Sequence, residues 1–251
     1  MPSDQPSMQP SVSSMPSDEP SISSMPSSGP SANPTVSSKP SSSPTISTQP
    51  TLSTYPTPSP TARKVFEAEF ASRDIGSVGY TGGSTTPESG LHVVQGSGVD
   101  IWGSYDGFHF MYVETSGDVT LTALIENFSA PHEWAKTGIM FRDSLASSSS
   151  HYSMMLTRSN GIVNQYRTCT ACSSYSVQSW LYKPSSVWFK VTKVGNVFTA
   201  YYRPTTSSSS SWYQFGVSMP MTSILDNGYY VGIAITSHTN AGMATVRVSN
   251  I

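Results

Sequence analysis

The sequence predicts an all-β fold, two antiparallel sheets packed as a sandwich, preceded by a tail that forms no core. Beyond residue 61, apolar side chains recur at every second position in about ten segments rich in β-branched and aromatic residues. Turn signals containing Gly, Asn and Ser separate these segments at short, regular intervals. No window of helical period competes with them.

The tail comes first. Residues 1–61 are Ser, Pro and Thr with isolated apolar side chains, too little oily surface to offset the entropy of ordering them. Pro10, Pro20, Pro30, Pro40, Pro50 and Pro60 recur every ten residues, with Pro6, Pro16 and Pro26 running ahead of them. That density forbids helix and sheet, so residues 1–61 are expected to be a disordered, polyproline-like stalk reaching at most roughly 190 Å. Ser/Thr/Pro stalks are commonly O-glycosylated or phosphorylated. Met1 reads as one more copy of Met15 and Met25, so the native polypeptide is expected to extend upstream and to carry a secretion signal there.

Residues 62–251 are expected to fold as one sandwich domain. The first strand is expected in VFEAEF from Val65, and a glycine-rich passage from Gly76 to Gly90 precedes LHVVQ. FHFMYV (108–113), DVTLTALIE (118–126), WAKTGIMFRDSL (134–145), HYSMML (151–156), GIVNQYR (161–167), VWFKVTKV (187–194), VFTAYYR (197–203), YYVGIAITS (229–237) and MATVRVSNI (243–251) follow. In the segment from Trp134, residues Ala135, Thr137, Ile139 and Phe141 fall on one side, expected to be buried. Trp134, Lys136, Met140 and Arg142 fall on the other, a mixed aromatic and cationic face. Gly195-Asn196 reads as a two-residue hairpin turn.

Charge narrows the partners. The whole formal charge of −2 sits in the tail, on Asp4, Asp18, Glu19 and Lys39, which leaves the folded part neutral. With no basic stripe, nucleic acid and anionic membranes are not expected partners. Membrane insertion is not expected either, since no apolar run approaches the roughly 20 residues that span a bilayer.

The order of motifs carries a resemblance. GSGVDIWGSYDGFHFMY (96–112), SGDVTLTALI (116–125), WAKTGIMFRDSL (134–145), FKVTKVGNVFTAYY (189–202) and YYVGIAITSHTNAGMATVRVSNI (229–251) resemble the concanavalin A-like domain family of unknown function labelled "regulation of enolase 1-like". The likeness covers nearly all of residues 72–251. It implies a concanavalin A-like jelly roll similar to lectins and glucanases, often appended to secreted or surface proteins, and it assigns no catalytic or binding residue. Cys169-Thr-Ala-Cys172 and the Ser207–Ser211 run before Trp212 depart from it in loops. The Pro-Ser repeat is similar to those of diatom surface and wall-associated proteins.

Several constellations are candidates for chemistry. Glycoside hydrolysis needs two carboxylates about 5–9.5 Å apart across the bond. Glu67 and Glu69 alone have the alternating spacing, and beside the stalk they read as solvent-facing. No Gly-x-Ser-x-Gly elbow occurs, and His92, His109, His132, His151 and His238 lack Ser and Asp at a diagnostic spacing. His109, alternating with Phe108 and Phe110, reads as structural. The sequence therefore predicts no enzyme.

Sugar recognition stacks the C–H face of a ring on an aromatic while polar side chains bond its hydroxyls. Trp134, Lys136 and Arg142 on one strand, with Gln165 and Arg167 on another and Tyr166 and Tyr175 nearby, supply such a set if the strands share a concave sheet. His238 and Asn240, in the SHTN turn, are a second candidate at a loop edge. The same residues also suit a plain solvated sheet face. Asp100 and Asp106 form a candidate calcium site, or serve as turn formers beside Gly103 and Gly107. Cys169 and Cys172 are expected to form a disulfide at a hairpin tip, since zinc needs two further ligands and a redox pair needs a helix N-terminus. Asn127-Phe128-Ser129 is an N-glycosylation sequon.

These readings combine into an extracellular or cell-surface module on a stalk, binding polysaccharide or glycoprotein glycans of a wall or matrix without catalysis. A structural cell-wall protein whose modified stalk is the functional part is the alternative. A jelly-roll glycoside hydrolase with carboxylates drawn from distant loops is a lesser one.

Overall fold

The computed structural model describes residues 69–206, 211–224 and 228–251. The expected stalk, Glu67 and most of the VFEAEF segment lie outside those residues. The described chain enters its first strand at Ala71.

Among the described residues there are fifteen strands and no helix. One sheet runs in the order β1 (Ala71–Ile75), β5 (Tyr105–Thr115), β14 (Tyr229–Thr236), β7 (Lys136–Arg142), β8 (His151–Thr157), β9 (Ile162–Arg167) and β10 (Tyr175–Ser179). The short β4 (Asp100–Trp102) pairs with the start of β5. The second sheet runs β13 (Tyr213–Pro220), β12 (Val197–Pro204), β11 (Val187–Val194), β6 (Val119–Ser129), β15 (Thr239–Ser249), β3 (Leu91–Gly98) and β2 (Gly83–Glu88). Every pairing is antiparallel.

Alternation builds the core. On β6, Val119, Leu121, Ala123 and Ile125 are fully buried while Thr120, Thr122 and Leu124 between them are half-buried, as a sheet with one face inward requires. They join Val187, Phe189 and Val191 of β11 and meet Ile139 and Phe141 of β7, Met154 of β8, and Val231 and Ile233 of β14 in one apolar cluster. The Gly195-Asn196 turn closes β11 onto β12, with Gly195 at φ +54°.

The outer face of the eight-stranded sheet is not open. After β3 the chain folds back over it at Gly98, whose φ of +126° suits glycine and where a Cβ would lie 2.0 Å from the Gly107 carbonyl oxygen. The β4–β5 hairpin, turning at Gly103, then lies across this face and drives Ile101 into it. Ile101 packs in a second apolar cluster with Ile75, Phe108, Phe110, Met140, Met155, Val163 and Ala234. The expectation of a mixed, accessible face on β7 is corrected by this hairpin. Every residue of β7 is buried, on both sides.

Candidate functional site

The hairpin is held down by a buried ionic clamp. Asp106, at the start of β5, receives hydrogen bonds from Arg167 Nη2 (2.6 Å) and Nη1 (3.0 Å), a two-pronged contact from β9. Arg142 Nη1 on β7 lies 3.4 Å from the same carboxylate. Both guanidiniums are fully buried. One carboxylate cannot balance two of them, and backbone carbonyls take up the surplus. Arg142 donates to Ser144 O (2.7 Å) and Ala146 O (2.5 Å), and Arg167 to Gly103 O (3.1 Å) and Ser149 O (3.0 Å). Burial pushes the Asp106 carboxyl up against the opposing pull of both arginines, and burial lowers Arg142 to about 10. His151 stands in register with both arginines on β8. Burial first, then the two guanidiniums, hold its pKa well below the ordinary value, so its ring is neutral.

This clamp corrects three expectations. Arg142 and Arg167 face no ligand, because the hairpin covers their sheet face and consumes their donors. Asp106 is engaged by two cations, which would repel calcium. Asp100, the other half of the candidate calcium pair, is engaged separately by Lys136 and His238. Among the described residues no group of three His, Cys, Asp or Glu side chains could hold a metal ion.

Beside the hairpin a pocket of about 340 Å³ remains, lined by Asp100, Trp102, Trp134, Lys136, Val163, Gln165, Ser176, Gln178 and His238. That is the small end of the range for ligand pockets, roughly 300–1,000 Å³. Trp102 is brought by β4, Lys136 by β7, Gln165 by β9, and Ser176 and Gln178 by β10, while His238 comes from the turn between β14 and β15. Its polar centre is Asp100. Lys136 Nζ donates to Asp100 Oδ1, and His238 Nδ1 lies 3.3 Å from Oδ2. His238, at φ +57°, stacks on His132 at 4.3 Å between ring centres. Its pKa is lowered by burial, aided by Lys136 and His132 and opposed by Asp100. At neutral pH the imidazole is therefore uncharged, and Asp100 and Lys136 cancel. Gln165 donates from Nε2 to Ile101 O, while its buried Oε1 has no partner. Gln178 Nε2 donates to Asn160 O at 2.6 Å.

Two indoles complete the pocket. Trp102 is 44% exposed, and Trp134 is half-buried with its ring edge-on to Trp180 at 5.3 Å. The structure thus brings together Trp134, Lys136, Gln165 and His238 of the sequence candidates, along with Asp100. It leaves out the exposed Asn240, and Tyr166 and Tyr175, which stack on each other at 6.0 Å. Trp102, Ser176 and Gln178 were not among the candidates. An indole in a Gly-bounded turn, Trp102-Gly103, was the sequence signal available for the first; β10, a short polar segment, offered none.

Other candidates lie elsewhere. Cys169 and Cys172 form a disulfide. Asn127 is exposed at φ +50°, in an irregular stretch where β6 slips against β15. His109 points away from Phe108 and Phe110 toward the other sheet, its Nδ1 2.7 Å from Asp74 Oδ1.

No family model and no curated protein matches the chain. Solved structures do. A functionally unknown protein from Saccharomyces cerevisiae superposes with a TM-score of 0.52 at 17% identity, over 69% of this chain and 96% of that one. The fold they share is an all-β sandwich of two antiparallel sheets. Arcelin-5, a lectin-like defense protein from Phaseolus vulgaris, gives a TM-score of 0.45 at 10% identity over 72% of this chain and 89% of its own. A xylan β-1,4-xylosidase from Bacillus halodurans C-125 gives 0.47 at 11% identity over 63% of this chain. The match spans 32% of the xylosidase's length. At such identities the likeness is one of fold. The narrower resemblances, to the enolase-regulation family and to diatom repeat proteins, find no support in these matches. The exclusion of catalysis drawn from the sequence is overturned, because glycoside hydrolases stand beside lectins among the proteins of similar fold. Enzyme status is open.

Proposed function

We propose that the pocket beside the hairpin binds a saccharide, in a protein working outside the cell or at its surface. The observation that carries this reading is the pairing of two accessible indoles, Trp102 and Trp134, with a compact polar set of Asp100, Lys136, Gln165 and His238. An indole offers a flat apolar face to the C–H side of a sugar ring, and side-chain donors and acceptors at fixed positions read its hydroxyls. The unpartnered Oε1 of Gln165 supplies one acceptor already desolvated and waiting for an O–H donor. Asp100 and Lys136 cancel and His238 is neutral, so the site suits an uncharged sugar better than an ionic one. The Cys169–Cys172 disulfide supports an oxidising, extracellular setting. Glycans of a wall or matrix, on polysaccharide or glycoprotein, are the partners this reading proposes.

A glycan array probed with the full chain tests it. The expected result is a signal on a defined subset of neutral glycans, lost in both Trp102→Ala and Trp134→Ala. Retention of the signal in both variants would place binding elsewhere, and absence of any glycan-dependent signal would end the reading.

A further inference from the structure

The seven-stranded sheet carries a second arrangement on its outer face. Val187, Phe189 and Val191 of β11 are fully buried, so Trp188 and Lys190 between them point outward. Tyr201 and Arg203 of β12 stand opposite in register, Arg203 across from Trp188 and Tyr201 across from Lys190. Trp212, just before β13, joins them. Each cation then lies between two rings. The Arg203 guanidinium carbon is 4.7 Å from the centre of the Trp188 ring and 5.0 Å from that of Trp212. Lys190 Nζ is 4.4 Å from Tyr201 and 4.6 Å from Trp212. All five side chains are half-buried, in the order Trp188, Arg203, Trp212, Lys190, Tyr201.

Aromatic rings are negative on their faces and positive at their edges. Here the cations occupy faces, which leaves ring edges, indole N–H groups, an ammonium and a guanidinium to meet whatever approaches. Among the described residues no carboxylate pairs with Lys190 or Arg203. The neighbouring register positions, Thr122, Leu124 and Gln214, are uncharged. The two cations also repel each other, and Arg203 adds to burial in lowering the pKa of Lys190. An anion laid over the pair relieves that repulsion and accepts hydrogen bonds from both.

We propose that this face binds an acidic polysaccharide, with Arg203 and Lys190 receiving carboxylate or sulfate groups and the ring edges and indole N–H groups of Trp188 and Trp212, with the edge of Tyr201, bordering the sugar rings between them. Charge complementarity selects this occupant over the other polyanions. Nucleic acid is tracked by a groove with many phosphate contacts, and anionic bilayers are held by clusters of four or more basic residues. Two cations on a sheet with neutral surroundings match the sparser charge of a sugar acid. The proposal is independent of the pocket beside the hairpin, which belongs to the other sheet.

Affinity electrophoresis of the full chain through gels holding polygalacturonate, dextran sulfate or neutral dextran tests it. Competition with a single-stranded DNA and with vesicles containing phosphatidylserine identifies other polyanions. Retardation is expected on one or both acidic polymers, weakening with salt, and not on dextran. The double variant Lys190→Gln/Arg203→Gln is expected to bind at least about tenfold more weakly. Arg203→Lys, which keeps the charge and loses the planar fork, should fall between. Arg247→Gln, an exposed cation elsewhere on the same face, should bind like the native chain. Circular dichroism establishes that the double variant is folded; if it is not, the order of Arg203→Lys and Arg247→Gln decides. Equal retardation on dextran, no retardation on either acidic polymer, or native affinity in the double variant would overturn the proposal. So would tighter binding of the DNA or the vesicles.

Discussion

Replacing Asp106 by Asn keeps the size of the side chain and removes the carboxylate from the clamp. The amide oxygen can still accept one of the Arg167 contacts at 2.6 and 3.0 Å, but the other oxygen becomes an NH2 donor facing a guanidinium, and two buried cations, the second at 3.4 Å, lose their only counter-charge. Breaking a buried ion pair by removing one partner costs about 3–5 kcal/mol. The carbonyls of Ser144, Ala146, Ser149 and Gly103 still accept from both arginines, which places the loss toward the lower end. For a domain of this size each kcal/mol shifts Tm by about 2–4 °C, so D106N should melt roughly 6–12 °C below the native chain. Thermal and urea denaturation followed by far-UV circular dichroism measure this, with an unchanged urea slope showing that stability alone has altered. Arg167→Met, which removes the closer partner, should cost more than Arg142→Met. A D106N melt within about 2 °C of native, or the reverse order of the two arginine variants, would refute the view that this clamp holds the hairpin on the sheet.

Two further outcomes are expected. His151 has a folded-state pKa well below its ordinary 6.5, so as pH falls through that value the unfolded chain takes up a proton that the folded chain refuses. Stability should then decrease by roughly 1.4 kcal/mol per pH unit below about pH 6.5, and His151→Gln should flatten this slope in urea titrations at successive pH values. Equal stability of the native chain from pH 7 to pH 5 would contradict the assignment. Substituting both Cys169 and Cys172 by Ser should cost about 2 kcal/mol or less, since the loop they close is very short; a collapse of the thermal transition would mean the bridge has a larger structural role.

The sandwich was legible because its central strands obey a strict period of two. DVTLTALIE and VWFKVTKV alternate buried and half-buried residues as read. Five strands escaped: ASRDI, GSTTPE, DIW and YSVQS carry too few apolar side chains to announce a face, and YQFGVSMP, at the end of its sheet with no fully buried residue, shows no regular alternation. Of the site, Trp134, Lys136 and Gln165 were reachable because alternation assigns the side of a strand, and His238 because it stands in the polar SHTN turn. Arg142 and Arg167 sit on that same side and were read as ligand contacts. Alternation gives the side but not what lies on it, and nothing local in Asp100–Asp106 reveals that the hairpin turns back over the sheet. That covering depends on contacts more than sixty residues apart in sequence, such as Arg167 with Gly103.

The folded-back hairpin also divides labour between two parts of the chain. The sheet beneath supplies a fixed floor of Lys136, Gln165 and Gln178, whereas Asp100 and Trp102 arrive on a short insert fastened chiefly by one carboxylate and one apolar plug, Ile101. Exchanging only the tip of that insert would alter what the pocket accepts and leave the stacked sheets untouched, so ligand preference can drift in this architecture without putting the fold at risk.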